Sequence, residues 1–95
     1  MEDLTVARFA DRIGQHFRLT TDEAGMLDVE LVECERLGGT VLEREPFSLV
    51  FLGPREPVLP QRIYELTHNE LGELEIFLVP IAQDADGTRY QAIFT

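Results

Sequence analysis

The stretch from Leu74 to Ile81 is apolar on both faces when it is read with the two-residue period of a β-strand. One face would carry Phe77, Val79 and Ile81, and the other would carry Leu74, Ile76 and Leu78. A chain of 95 residues usually forms one core, so the outer faces of its strands stay in water. We therefore expect a helix of the same chain, or a partner protein, to cover the second face of this strand.

Length and composition predict a single domain over residues 1–95. Hydrophobic residues make up 44% of the chain and charged residues 27%, which argues against disorder and supplies enough apolar material for a small core. The apolar runs are far shorter than the roughly 20 residues that span a bilayer. The opening Met1-Glu2-Asp3-Leu4 is acidic where a signal peptide carries positive charge. We expect a cytoplasmic protein, or one carried within a larger particle.

The net charge of −10 and the sequence pI near 4.4 restrict the choice of partners. Nucleic acid and anionic membranes require a basic footprint that this chain lacks, so we expect neither as a partner. A basic protein partner is compatible with the charge. The simplest interpretation is that the charge keeps a small protein dispersed in solution.

An apolar stripe near the N-terminus predicts one short helix. Its residues, spaced as on one face of a helix, are Val6, Phe9, Ala10 and Ile13. Gly14 follows at a position where glycine commonly ends a helix. About two turns of helix are not stable alone, so the stripe must pack on the rest of the protein. The second face of the strand at 74–81 is one surface that it could cover.

The rest of the chain follows the periodicity of β-strands. Apolar alternation and turn residues place strands at 15–20, 26–37, 40–43, 47–52, 61–68, 74–81 and 89–95. The fold class is therefore mainly β, at the margin of α+β. We expect a small antiparallel β-barrel or sandwich of about six or seven strands, with one short N-terminal helix.

The apolar pattern of the segment 26–37 changes phase in its middle. Val29 and Leu31 share a face, but Val32 and Cys34 continue the pattern one residue out of step. A β-bulge near Leu31-Val32 would restore the phase. It would also form an acidic strip on the outside, made of Asp28, Glu30, Glu33 and Glu35. Such a strip could meet a basic partner, or it could simply be solvated.

Several segments occur in an order that resembles a known family. They are 47–54, 59–68, 71–72, 76–81 and 90–94, and Phe9, Gly14 and Phe17 fit the same pattern. Together they are similar to a family of short bacterial proteins of unknown function, whose genes often lie near those of phage-tail-collar-like proteins. The resemblance implies a β-rich fold and, through the gene context, a tail-like assembly. It brings no catalytic residues.

No group of residues has the pattern of a catalytic, metal or cofactor site. We therefore expect a protein that is not an enzyme and binds no cofactor and no small-molecule substrate. Cys34 is the only cysteine, and His16 and His68 are the only histidines, which is not the ligand spacing of a zinc site. We expect His68 to hydrogen-bond the backbone of the turn that follows it. Asp84 and Asp86 flank a turn, which favours an Asx turn over a cation site.

Three functions are compatible with the sequence, and we favour the first. It is a structural or adaptor protein that self-associates or docks on a larger assembly. The candidates for its partner interface are Val50, Leu52, Arg55, Arg62, Tyr64, Ile76 and Leu78. The second is an acidic inhibitor or immunity-type protein that occupies a basic site of its partner. The third is a small enzyme or ligand-binding barrel, with a pocket lined by Tyr64, His68 and Tyr90.

Overall fold

The computed structural model describes residues 5–22, 25–39 and 45–94, and within these ranges it has one helix and six strands. The elements are α1 Val6–Ala10, β1 His16–Thr21, β2 Gly25–Arg36, β3 Phe47–Gly53, β4 Arg62–His68, β5 Gly72–Asp84 and β6 Gly87–Phe94. The strand predicted at 40–43 lies outside the described residues. In the described ranges, no helix has the length and hydropathy needed to cross a membrane.

The strands close into a barrel in the order β1-β2-β3-β6-β5-β4, and neighbouring strands are antiparallel. Strands β1 to β3 form one meander and strands β4 to β6 form another. The loop between β3 and β4 carries the chain across the barrel, so that β4 lies beside β1 and β6 lies beside β3. The predicted mainly β fold is confirmed, and of the two predicted architectures the barrel is the one that forms.

Alternate residues of the strands fill the single interior, as the two-residue period requires. The largest fully buried side chains are Tyr90, Phe9, Phe17, Phe47, Phe51, Leu19, Leu31, Leu49, Leu66, Ile76, Leu78 and Val29. On β5, the face that turns inward carries Leu74, Ile76 and Leu78. Leu74 and Ile76 pair with the buried Leu66 and Tyr64 of β4, and this register sets which face of β5 lies inside.

The bulge predicted in β2 is present. The register between β2 and β3 shifts between Leu31 and Glu33, which leaves Val32 as the extra residue. As a result, the four residues of the acidic strip all stay out of the interior. A second irregularity, which the sequence pattern does not indicate, lies in β5 between Pro80 and Ala82.

Helix α1 closes one end of the barrel, which we call the helix end. The ring of Phe9 is fully buried, with its centroid 5.9 Å from that of Phe47 and 6.0 Å from that of Phe94. Val6 is buried as well, and the helix packs on β2. The predicted apolar stripe is correct only for its first turn, because the helix ends at Ala10 and Ile13 is 51% exposed.

The loop between β3 and β4 closes the opposite end, which we call the loop end. Leu59 is buried there, and its N–H donates to the hydroxyl of Tyr90 at 3.0 Å. The hydroxyl of Tyr64 donates to the carbonyl of Pro60 at 2.5 Å. The hydroxyl of Thr88 donates to a loop carbonyl at 2.9 Å. Buried polar atoms of the barrel are thus satisfied by the backbone of this loop.

The loop end depends on a close approach of two backbones at Gly87. This residue has a φ of 144°, and a Cβ atom added to it would lie 2.2 Å from the carbonyl oxygen of Gly53. Only glycine allows β6 to begin so close to the end of β3.

Removal of the Phe9 ring should open the helix end. We expect Phe9→Ala to lower the free energy of unfolding by about 3–5 kcal/mol, because a fully buried aromatic side chain is lost and a cavity is left. Urea denaturation followed by circular dichroism measures this change. Ile13→Ala, in the same segment but exposed, should change it by less than about 0.5 kcal/mol. Equal effects of the two substitutions would contradict the role given to Phe9.

Candidate protein-binding surface

The second apolar face of β5 is not covered by any described part of the chain. This face carries Phe77, Val79 and Ile81, and it points away from the interior. Phe77 and Ile81 are each 49% exposed, and Val79 is half-buried. The predicted internal cover, helix α1, lies at the helix end and packs on Phe47 and Phe94 instead.

Neighbouring strands extend this face into a row of exposed apolar side chains. Ile63 of β4, which is 60% exposed, pairs directly with Phe77. On the other side of β5, Val79 pairs with Gln91 of β6, and Ile93 is the next outward residue of β6 after Gln91. Ile93 is 53% exposed. We call the surface made by Ile63, Phe77, Val79 and Ile93 the outer patch.

Carboxylates lie beside the outer patch on the hairpin of β4 and β5. Glu65 pairs directly with Glu75, and Glu73 pairs with Thr67. All three glutamates are exposed, and none of them forms an ion pair with a residue of the described ranges. Like charges directly opposite one another on a sheet are unfavourable. We call Glu65, Glu73 and Glu75 the acidic flank.

The structure corrects the predicted choice of apolar face for the partner interface. Ile76 and Leu78 were candidates on β5, and Tyr64 was one on β4, but all three are buried in the barrel interior. The face that is open on these two strands carries the residues of opposite parity, among them Ile63 and Phe77.

The other predicted interface residues lie apart from the outer patch. Val50 faces outward from β3 yet is buried, and Leu52 beside it is half-buried. Arg55 and Arg62 are exposed near the loop end. The guanidinium carbon of Arg62 lies 6.0 Å from the centroid of the Tyr64 ring. The structure does not bring these residues together into one surface.

The acidic strip lies on the outer face of β2, as predicted. Asp28 is hydrogen-bonded to Nδ1 of His16 at 2.5 Å. The other three members pair with residues of β3 that are not exposed apolar side chains; the pairs are Glu30 with Leu52, Glu33 with Val50, and Glu35 with Ser48. The strip is therefore charged but presents no exposed large apolar residue in these pairs.

The three residues proposed to line a ligand pocket are engaged in the structure of the barrel. Tyr64 and Tyr90 are buried and bonded to the loop at the loop end. His68 lies at the helix end, where its Nδ1 accepts from the N–H groups of Glu70 at 3.0 Å and Leu71 at 3.2 Å. The predicted hydrogen bond between His68 and the turn backbone is confirmed.

The two nitrogens of His68 have fixed roles. Because Nδ1 accepts two hydrogen bonds, Nε2 carries the proton and donates to Oε1 of Gln15 at 2.7 Å. The ring also packs on Phe17 at a centroid distance of 4.6 Å. Burial lowers the pKa of His68 below its ordinary value of 6.5, and the charge of Arg12 lowers it further, while Glu70 acts in the opposite direction. His68 thus ties β4 to the segment before β1 in its neutral form.

The remaining candidate groups have local roles. Oδ1 of Asp84 accepts from the N–H of Asp86 at 2.9 Å, which confirms the predicted Asx turn. This N–H is the main reason why the pKa of Asp84 is lowered, and the neighbouring Arg89 lowers it as well. Cys34 is half-buried, and burial raises the pKa of its thiol. The described residues contain no group of three or more histidine, cysteine, aspartate or glutamate side chains that could hold a metal ion.

The chain belongs to the family described as Domain of unknown function (DUF6916), whose sequence model matches residues 4–94. This agrees with the predicted membership of a family of unknown function. No curated protein and no solved structure matches the chain significantly. The family carries no assigned activity, so the function has to be argued from the surface of the barrel.

Neutral His68 should make the stability of the barrel depend on pH. The pKa of His68 is lower in the folded protein than in the unfolded chain, so the unfolded chain binds more protons below about pH 6.5. The free energy of unfolding should therefore fall as the pH is lowered through this value. We expect urea denaturation at pH 7.5 and 5.5 to show this fall in the wild type and in His16→Gln, and a smaller fall in His68→Gln. The same fall in His68→Gln would contradict the assignment.

Repulsion within the acidic flank should lower the stability of the protein. We expect Glu75→Gln to raise the free energy of unfolding by about 0.2–1 kcal/mol, because it removes one of two like charges that face each other across β4 and β5. Thermal denaturation at low ionic strength measures the gain, which salt should diminish. Glu35→Gln, which faces Ser48, makes the same change in net charge and should give a smaller gain. An equal gain from both variants would indicate a general charge effect.

Proposed function

We propose that this chain is a non-catalytic docking module, a structural or adaptor protein that binds another protein through the outer patch. The observation that carries the proposal is the row of Ile63, Phe77 and Ile93, three exposed apolar side chains on adjacent strands. Single exposed apolar residues are ordinary, but a contiguous group of them is typical of an interaction surface. Aromatic residues such as Phe77 are enriched at such surfaces.

A binding role is supported by the way in which the interior of the barrel is used. Helix α1 closes one end and the loop between β3 and β4 closes the other. Tyr64, His68 and Tyr90, the groups that a catalytic pocket would need, hydrogen-bond the protein's own backbone or Gln15. We therefore expect the protein to bind its partner through the outer surface of the barrel.

A larger assembly is the setting that we propose for this module. The sequence resembles bacterial proteins whose genes often lie near those of phage-tail-collar-like proteins, and this context supports a tail-like particle. In that setting the partner is another subunit of the particle or a second copy of the chain. The protein would reside in the cytoplasm or be carried within the particle.

The acidic strip favours a second candidate function, that of an acidic inhibitor or immunity-type protein. Three of its four carboxylates, Glu30, Glu33 and Glu35, project from one strand without an ion pair in the described part of the chain. An inhibitor of this kind would bind a basic site through the strip. Its complex should weaken steeply with salt and with Glu33→Gln/Glu35→Gln, and indifference to both would exclude this alternative.

Phe77 should dominate the binding energy if the outer patch is the docking surface. We expect Phe77→Thr to weaken the complex by about tenfold or more, because the loss of a central aromatic contact commonly costs that much. The complex would be recovered with a tagged chain from the native host, and its affinity would then be measured with the purified partner. Light scattering on the purified chain would reveal self-association through the same surface.

Met26→Thr is the matched control for this test. Met26 is an apolar residue that is 64% exposed on β2, two strands from β4, so its substitution should weaken the complex far less than Phe77→Thr. A chain that stays monomeric at high concentration and yields no partner would contradict the proposed function. So would a complex that Phe77→Thr leaves intact.

A further inference from the structure

We infer that the outer patch binds a protein segment that carries an apolar side chain beside arginine or lysine, rather than a second copy of this chain. This inference rests on the proposed docking function and specifies the chemistry of the partner. It follows from the position of the acidic flank relative to the apolar row, and from the charges that a second copy has to offer.

The apolar row and the acidic flank are consecutive rows of one sheet. Ile63 pairs with Phe77, and the next outward pair along the same two strands is Glu65 with Glu75. Outward residues on a strand follow one another at about 7 Å. A partner that covers Phe77 therefore reaches two facing carboxylates within about one side-chain length, and Glu73 lies one step further along β5.

The acidic flank forms no ion pair within the described part of its own chain, although Arg18 of β1 lies on the same outer face, across from Thr67. Other carboxylates on the barrel are paired with a cation, since Glu45 contacts Arg36 and Asp84 contacts Arg89. Glu65, Glu73 and Glu75 form no such pair with a described residue. Two of the three also face each other directly, so a cation from a partner would relieve a repulsion as well as gain an attraction.

The combination of apolar and acidic rows distinguishes this surface from the acidic strip on β2. Glu33 and Glu35 of the strip pair with the buried Val50 and Ser48, so an approaching cation finds no exposed apolar side chain in those pairs. Charge alone gives a weak, salt-screened contact, whereas burial of apolar area beside a charge pair gives both affinity and orientation.

A second copy fits this surface poorly because of its charge. In a symmetric contact each copy presents the same residues to the other, so three unpaired carboxylates from each copy enter one interface. Against these carboxylates a second copy offers two arginines on the neighbouring strands. One is Arg18 of β1, and the other is Arg89 of β6, which is already bonded to Asp84 and lies 4.0 Å from Asp86. The net charge of −10 adds a general repulsion between two copies.

The spacing of the rows defines a probe. In an extended peptide, alternate side chains lie on one face about 7 Å apart, which matches the step from Phe77 to Glu75 and on to Glu73. The probe is a capped peptide with isoleucine at two alternate positions, arginine at the next two, and threonine elsewhere. One control peptide replaces the arginines with glutamate, and a second replaces the isoleucines with threonine.

Titration of the isotope-labelled chain with these peptides, followed by amide chemical shifts in NMR spectra, tests the inference. The arginine–isoleucine peptide should shift amides of the outer patch and acidic flank, namely Ile63, Glu65, Glu75, Phe77 and Ile93. It should bind about tenfold more tightly than either control peptide. Glu65→Gln/Glu75→Gln should weaken its binding several-fold, whereas the matched pair Glu33→Gln/Glu35→Gln should not.

Each other outcome overturns the inference in an identifiable way. Equal binding of the arginine and glutamate peptides at Phe77 would remove the basic partner but leave the docking function standing. If the peptide without isoleucine binds as tightly as the arginine–isoleucine peptide, or if the shifts are confined to β2, the contact is only a general electrostatic attraction. Concentration-dependent shifts of the same amides without peptide would identify a second copy as the occupant. If no peptide binds, the inference fails, and the effect of Phe77→Thr on the recovered complex then decides the docking function separately.

Discussion

A closed barrel has one interior, and each of its strands can turn only one face towards it. The exposed apolar face of β5 follows from that constraint. Strand β5 carries two apolar faces, and its pairing with Leu66 and Tyr64 of β4 turns the face of Ile76 inward. The face of Phe77 must then lie outside. Closure of the barrel thus creates an exposed apolar row from a strand that a fold with a layer on each side of the sheet could have buried on both faces.

No described part of the chain covers that row, because the helix and the loop that could do so close the two ends of the barrel. A small barrel needs side chains or loops to keep water out of its two openings. Phe9 of helix α1 packs against Phe47 and Phe94 at one end, and Leu59 of the loop lies at the other. The short helix cannot do this and also reach the outer face of β5. The hydroxyls of Tyr64, Tyr90 and Thr88 are hydrogen-bonded to the same loop.

The carboxylates on β2 and those on the hairpin of β4 and β5 have different surroundings. On β2 the carboxylates are solvated or bonded to neighbouring side chains such as His16, which fits the role of charge in keeping a small protein dispersed. On the hairpin of β4 and β5, Glu65 and Glu75 face each other beside an exposed aromatic ring. We expect that arrangement to lower the stability of the free barrel, and we propose that a partner with an apolar and basic segment would relieve the repulsion.

The sequence by itself determined the local features, because these depend on neighbours along the chain. The strand periods, the bulge in β2, the hydrogen bonds of His68 to its turn and the Asx turn at Asp84 all follow from spacing and residue type. It could not determine which face of β5 is open, since both faces are equally apolar, and it therefore placed Ile76 and Leu78 in the interface. Only the tertiary structure decided this, because the pairing of β4 with β1 and of β6 with β3 closes the barrel and sets which face of β5 lies inside.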